Sequence, residues 1–238
     1  MPLLLTLALA VQVPVPFRVG ESLAYDGTYR VAGVPISHSN VAALTVAGVD
    51  TVDGVPCWRF TFNTDFSFLF YHAHDELTSW TSVDSFVSRR FLHRIDDTGY
   101  SRHDDFRIFA DSGFFRDFPD TTRRATPSAP LDDVAFFYFL RLPSTRLDVG
   151  NTYMYRRYFR DDRNPVAITV IRREACDLPG GEKATCLVLR PVVEDPPHGM
   201  LMREKHALIW ITDDARRLPV RVASGPFTMK LSEIVEPH

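Results

Sequence analysis

No apolar run in the chain reaches the roughly 18–20 residues that a membrane-crossing helix requires. There is no basic excess either. The 27 Lys and Arg residues stand against 30 Asp and Glu, a net charge of −3, which argues against a nucleic-acid partner. Among the basic residues only Lys183, Lys205 and Lys230 are lysine, and that bias carries no functional reading. The short motifs that announce chemistry are missing as well. There is no Gly-x-Ser-x-Gly elbow, no His-Glu-x-x-His, no Gly-x-x-x-x-Gly-Lys and no Cys-x-x-Cys. A nucleophile-elbow hydrolase, a zincin, a P-loop enzyme and a dithiol oxidoreductase therefore find no support.

What is present is apolar and aromatic. Of 238 residues 45% are hydrophobic, with 18 Phe, 8 Tyr and 3 Trp. That is too much apolar surface for a disordered chain. No shift in composition divides it, so residues 17–236 read as one domain. Residues 1–16 read as a leader or a disordered tail. Met1 to Ala10 is apolar apart from Thr6, and Ala8-Leu9-Ala10 fits the small-x-small cleavage pattern of a secretory signal. The n-region, Met1-Pro2, departs from that pattern in lacking Lys and Arg. Cys176 and Cys186 bracket a turn-rich stretch between two strand-like runs, where they would face each other across a hairpin and form a disulfide. A disulfide agrees with an oxidising compartment. Cys57, beside Trp58, reads as a small buried apolar residue.

Period-two alternation dominates the rest. Strands are expected over Ser22 to Val31, Ser39 to Val49 and Val55 to Asn63, with Asp53-Gly54 as a hairpin turn. Phe66 to Asp75 reads as one strand with Phe66, Phe68, Phe70, His72 and His74 on one face. Further strands follow over Ser85 to Ile95, Tyr100 to Asp111 and Gly113 to Phe118. The second half gives Thr152 to Arg160, Val166 to Glu174, Ala184 to Val193, Leu201 to Thr212, Pro219 to Ala223 and Phe227 to Val235. The one helix candidate is Asp132 to Arg141. Asp132 serves as N-cap, Asp133 lies in the first turn, and Pro143 is the stop. So many strands in one domain must curl. The expected fold is mainly β: a large curved antiparallel sheet, a half-barrel or unclosed barrel, with one short packed helix.

Several blocks carry a resemblance. They are Phe17-Arg18-Val19-Gly20-Glu21-Ser22-Leu23-Ala24-Tyr25, Asp75 to Asp84 with Ser79-Trp80 inside, Leu131 to Arg141, Val149-Gly150-Asn151-Thr152, and Trp210-Ile211-Thr212-Asp213 through Leu218-Pro219-Val220. Together they resemble a bacterial family of exported proteins of unknown function, over about Phe17 to Val235. The last block also resembles the Trp-x-x-Asp…Leu-Pro hairpin of periplasmic lipoprotein carriers, which are unclosed barrels wrapped over helices with an apolar cavity for acyl chains. The resemblance implies a β-rich half-barrel and export to the periplasm or the periplasmic face of the outer membrane. It implies no activity. One clear helix rather than several sets this chain apart from the carriers.

The candidate ligand-binding face is Phe66, Phe68, Phe70, Tyr25, Tyr29, Phe60 and Trp210, with His72 and His74 at its mouth. The expected function is a non-catalytic envelope protein that binds or carries a lipid or other amphiphile there. One alternative is a structural or interaction protein with a packed core, meeting an envelope partner at a sheet edge. Another is a metal-dependent hydrolase on His72 and His74, needing a third ligand such as His103 or Asp105. No cofactor is implied. The paired acids Asp96-Asp97, Asp132-Asp133, Asp161-Asp162 and Asp213-Asp214 lie at turns or a helix start, where Asp caps backbone N–H groups. Asp104-Asp105 is mid-strand, with its carboxylates on opposite faces.

Overall fold

The computed structural model describes residues 13–31, 33–68, 71–193 and 207–237. Among them fourteen strands form one sheet. In chain order they are β1 (Ser22–Val31), β2 (Val34–Val52), β3 (Val55–Phe68), β4 (Tyr71–Ser82), β5 (Ser88–Asp97), β6 (Tyr100–Phe109), β7 (Phe114–Asp117) and β8 (Arg124–Ala125), then β9 (Thr152–Tyr155), β10 (Val166–Asp177), β11 (Lys183–Val193), β12 (Leu208–Thr212), β13 (Pro219–Ser224) and β14 (Phe227–Val235). The helix α1 (Asp133–Arg141) lies between β8 and β9. The spatial order runs from β8 back to β1, then β14 back to β9. Two antiparallel meanders thus join where β1 pairs with β14, and the sheet ends at β8 and β9 without closing. This is the curved, unclosed half-barrel with one helix that alternation and strand number imply.

Bulges bend the strands. Register shifts fall between Tyr25 and Gly27, Val46 and Gly48, Trp80 and Thr81, and Val170 and Arg172. The Asp53-Gly54 turn takes positive φ at both positions, 48° and 81°. That is the two-residue hairpin geometry whose twist matches its strands. The turns after β1, β3, β5 and β13 lie at one end of the sheet, termed upper; the turns after β2 and β4 lie at the other, termed lower.

The helix forms where its cap is strongest. Asp132 accepts from the backbone N–H of Val134 (3.1 Å) and Ala135 (2.9 Å), and from the Ser79 hydroxyl (2.6 Å). Its own N–H donates to Ser88 Oγ (3.0 Å). The cap is therefore bonded to β4 and β5 as well as to its own helix. At the other end Arg141, fully buried, makes a bidentate ion pair with Glu21, just before β1. The helix is tied to both sides of the half-barrel across its lower part. Seven of its nine residues are buried. Burial of each large apolar side chain stabilises by about 1.5–3 kcal/mol.

Three sequence expectations are corrected. Phe66 to Asp75 is not one strand; it spans the end of β3, a hairpin and the start of β4. Thr152 to Arg160 is strand only to Tyr155, and Tyr158 instead forms an isolated parallel bridge with Leu131. The expected strand Leu201 to Thr212 is present over Leu208–Thr212, and its residues 201–206 lie outside the described residues. Cys176 and Cys186 are joined, with Cα atoms 5.9 Å apart, but not face to face. Cys176 pairs with Ala184 and Cys186 with Glu174, so the disulfide runs diagonally across the hairpin. Near the N-terminus Val13 and Val15 pack against the core and Phe17 is buried in it.

Candidate functional site

The inner face of the sheet divides at α1. Below and around the helix it is solid. Phe60 stacks on Tyr138 with ring centroids 3.8 Å apart. Phe17 meets Trp58, Phe60 and Tyr138 edge-on at 5.6, 5.4 and 5.0 Å. Tyr25 is buried too, its hydroxyl donating to the Pro219 carbonyl (2.8 Å).

Above the helix the inner face is only half covered. Asp133 and Phe137 are the two helix residues that are not buried. They stand four apart, hence on one stripe of the helix with Cβ atoms about 5–6 Å apart. Phe137 stacks on half-buried Phe62 of β3, centroids 6.3 Å apart and planes 20° from parallel. These two rings close a small apolar pocket with Tyr25, Leu44, Val222 and Met229, a cavity of about 10 Å³, room for about one water molecule. Above it the inner face continues through half-buried Phe66, which meets the His38 ring at 5.0 Å, to Tyr29, 39% exposed, paired with Phe227.

At the Asp133 end the same stripe meets charge. The Tyr158 hydroxyl donates to the Asp133 carboxylate (3.2 Å). Burial pushes that carboxyl above its usual range; His93 of β5, Tyr158, Arg160 and Arg163 oppose the rise. His93 also draws Asp75 of β4 downward against a rise caused by burial. Asp75 and His93 are on the inner face because Asp75 pairs with Thr64 and Ile95, and His93 with Leu77, a core-packed residue. The floor above the helix is therefore apolar at one end and charged at the other.

Several candidate residues lie elsewhere. Phe66 pairs with Ala73, Asp65 with His74 and Ser67 with His72. The hairpin between β3 and β4 pairs even positions with odd ones, so His72 and His74 face outward, opposite to Phe66. The Ser67 hydroxyl bonds to His72 Nδ1 (2.8 Å), and His74 Nε2 lies 3.3 Å from Glu76. Phe70 lies outside the described residues, and the Phe68 side chain is likewise outside them. Trp210 also faces outward. It is covered by Arg221, whose guanidinium stands 4.4 Å over the ring, and donates to Glu174. Asp105 is on the outer face as well, held by Arg90 and Arg107. Among the described residues no group of three or more His, Cys, Asp or Glu side chains is placed to hold a metal ion. Among the described side chains of the expected set, Tyr25, Phe60, Phe66 and Tyr29 occupy the inner face, the first two buried there.

Phe62, Phe137, His93, Tyr158, Arg160 and Arg163 are not among the candidate site residues read from the sequence, and Asp133 enters there only as an acid at the helix start. Two signals point to some of them: Phe62 follows Phe60 in the same alternation, and Asp133 and Phe137 share a helical stripe. A second cleft lies outside the helix C-terminus, where Arg217 donates to the carbonyls of Leu142 (2.6 Å) and Thr145 (2.7 Å). Its charges are paired, Arg173 with Asp213 and Arg146 with Asp148, so it supports no ligand reading.

A solved structure of similar fold is a β-barrel-like protein of the DUF1849 domain of unknown function from Brucella abortus. The likeness has a TM-score of 0.57 at 11% identity and covers 94% of this chain and 100% of that one. At that identity it concerns the fold alone. No curated protein matches the chain. The descriptive family of proteins of unknown function DUF3108 matches residues 24–232, nearly the whole of the sheet just described, and the chain belongs to that family.

Proposed function

We propose that this protein is exported and binds an amphiphile, without catalysis, on the upper inner face of its half-barrel. One observation carries the reading. The half-buried stripe of α1 presents Phe137, which with half-buried Phe62 leaves an apolar, half-exposed floor beside a small apolar pocket of about 10 Å³ inside a curved sheet. An apolar chain laid against Phe62, Phe137 and Phe66 would bury rings that are now half exposed, at about 25 cal/mol per Å² of apolar surface covered. The Cys176–Cys186 disulfide and the apolar start ending in Ala8-Leu9-Ala10 support an oxidising, exported setting.

The test is a titration of delipidated protein with a fluorescent long-chain fatty acid. Saturable binding that weakens in Phe62→Ser is expected; no saturable binding overturns the reading. A second reading, a structural protein of the envelope with a packed core, is favoured by the size of the pocket, whose volume of about 10 Å³ lies far below the ~300–1,000 Å³ typical of drug-sized ligand sites. That reading gains if the native protein binds no amphiphile and co-purifies with none.

A further inference from the structure

The charged end of the inner face contains donors that its own acceptors do not satisfy. Arg160 Nε, Arg163 Nε and Arg163 Nη1 are buried and hydrogen-bonded to nothing among the described residues. Neither arginine makes an ion pair within 4 Å there. Buried guanidinium N–H groups without acceptors are rare in native proteins, because each forfeits its hydration for no return.

Local structure brings the two together. Arg160 is the N-cap and Arg163 the last residue of one 3₁₀ turn, Asp161–Arg163. The Asn164 side chain locks this turn, accepting from the Tyr158 N–H (2.9 Å) and donating to the carbonyls of Tyr158 (2.8 Å) and Arg160 (3.2 Å). The Arg160 guanidinium stands over the Phe106 ring at 5.0 Å and the Phe159 ring at 5.5 Å. Both arginines act on the Asp133 carboxyl and on the Tyr158 hydroxyl bonded to it. Asp133 is one carboxyl against two guanidinium groups, and burial favours its neutral form. The other carboxyl of this end, Asp75, also has a buried Oδ1 with no hydrogen-bond partner among the described residues, so it does not satisfy the arginine donors, which stand at the Asp133 end of α1, one helical turn from Phe137.

We infer that Arg160 and Arg163 bind an anionic oxygen group of phosphate or carboxylate type, the head of the amphiphile whose apolar part lies against Phe62 and Phe137. This rests on the amphiphile reading above and adds the sign and chemistry of the head. A guanidinium fork suits both groups, since its parallel N–H donors match two oxygens of either.

The experiment is displacement of the fluorescent fatty acid by dodecyl phosphate, by dodecanol and by inorganic phosphate, for the native protein and for Arg163→Gln and Arg160→Gln. Arg163→Gln leaves the stacked Arg160 in place, so it guards against a variant that misfolds. The expected result is that dodecyl phosphate displaces at least tenfold better than dodecanol, that Arg163→Gln removes this advantage, and that dodecanol is unaffected by the substitution. Equal displacement by the two alkyl probes overturns the head-group site and leaves the apolar trough standing. Displacement by inorganic phosphate as effective as that by dodecyl phosphate overturns the coupling to an apolar tail. Failure of the fluorescent fatty acid and of both alkyl probes to bind removes the amphiphile reading itself.

Discussion

Phe60 and Phe62 are two residues apart on β3 and face the same way, yet they belong to different regions. Phe60 is fully buried under α1, stacked on Tyr138 and touched edge-on by Phe17. Phe62 is half-buried, with Phe137 at 6.3 Å. Below the helix the half-barrel is a core; above it the same strands form a lining. The difference comes from where α1 is fastened. Asp132 bonds it to β4 and β5, and Arg141 with Glu21 fixes it beside β1, both across the lower part of the sheet. A helix of nine residues fills about one layer of a strand ten or more residues long, and the remainder of the inner face is left over.

The sharpest break of this comparison is to truncate both rings. Phe60→Ala removes a ring from a site with no room to collapse and should cost about 3–5 kcal/mol. Phe62→Ala should cost about 1 kcal/mol, near half the transfer value of a fully buried ring. Urea unfolding with unchanged slope measures both. Equal losses would mean that the upper face is as sealed as the lower and would remove the lining.

The helix N-cap gives a second and smaller distinction, visible in pH. Burial raises Asp132 to about 6, against hydrogen bonds from Ala135, Ser79 and Ser88 that lower it. The folded state therefore holds this proton more tightly than the unfolded chain, where an aspartate titrates near ~3.9. Its contribution is fully present below that value and is lost as pH rises from about 4 through about 6. Two units correspond to about 2–3 kcal/mol. Asp133, also raised by burial, works in the same direction. Asp132→Asn keeps an oxygen acceptor for the cap, so the variant should fold and show a flatter stability profile between pH 4 and 6, with the relative loss of the native protein closing by about that amount. A steeper profile in the variant would contradict the assignment.

How much of this was legible beforehand depends on which periodicity applied. Alternation along single strands placed Tyr25 and Phe60 inward, and the Asp132 cap with Pro143 beyond bounded the helix closely. Alternation carried across a hairpin did not work. Phe66 and His74 share a parity, but the β3–β4 turn reverses the face, because pairing there joins even positions to odd. Trp210 was misplaced for a different reason: β12 is buried on both sides, by the core within and by Arg221 and Glu174 without. A strand covered on both faces carries no clean alternation. The charged end was invisible because it is assembled from β5, α1 and the 3₁₀ turn after β9, three segments whose adjacency only the fold supplies.

The smallest expected effect tests that reversal of face. His74 lies on the outer surface, with Glu76 at 3.3 Å and Asp65 at 3.7 Å around its ring. Neither contact is buried, and exposed pairs of this kind contribute at most about 1 kcal/mol. His74→Ala should therefore change stability by no more than about 0.5 kcal/mol, as surface substitutions usually do. It should also leave the affinity for the fluorescent fatty acid unchanged, while Phe62→Ser, on the opposite face of the same strand pair, weakens it. Loss of binding in His74→Ala with the fold intact would put the ligand on the convex side of the sheet, and the division between sealed and open halves of the inner face would then have no bearing on function.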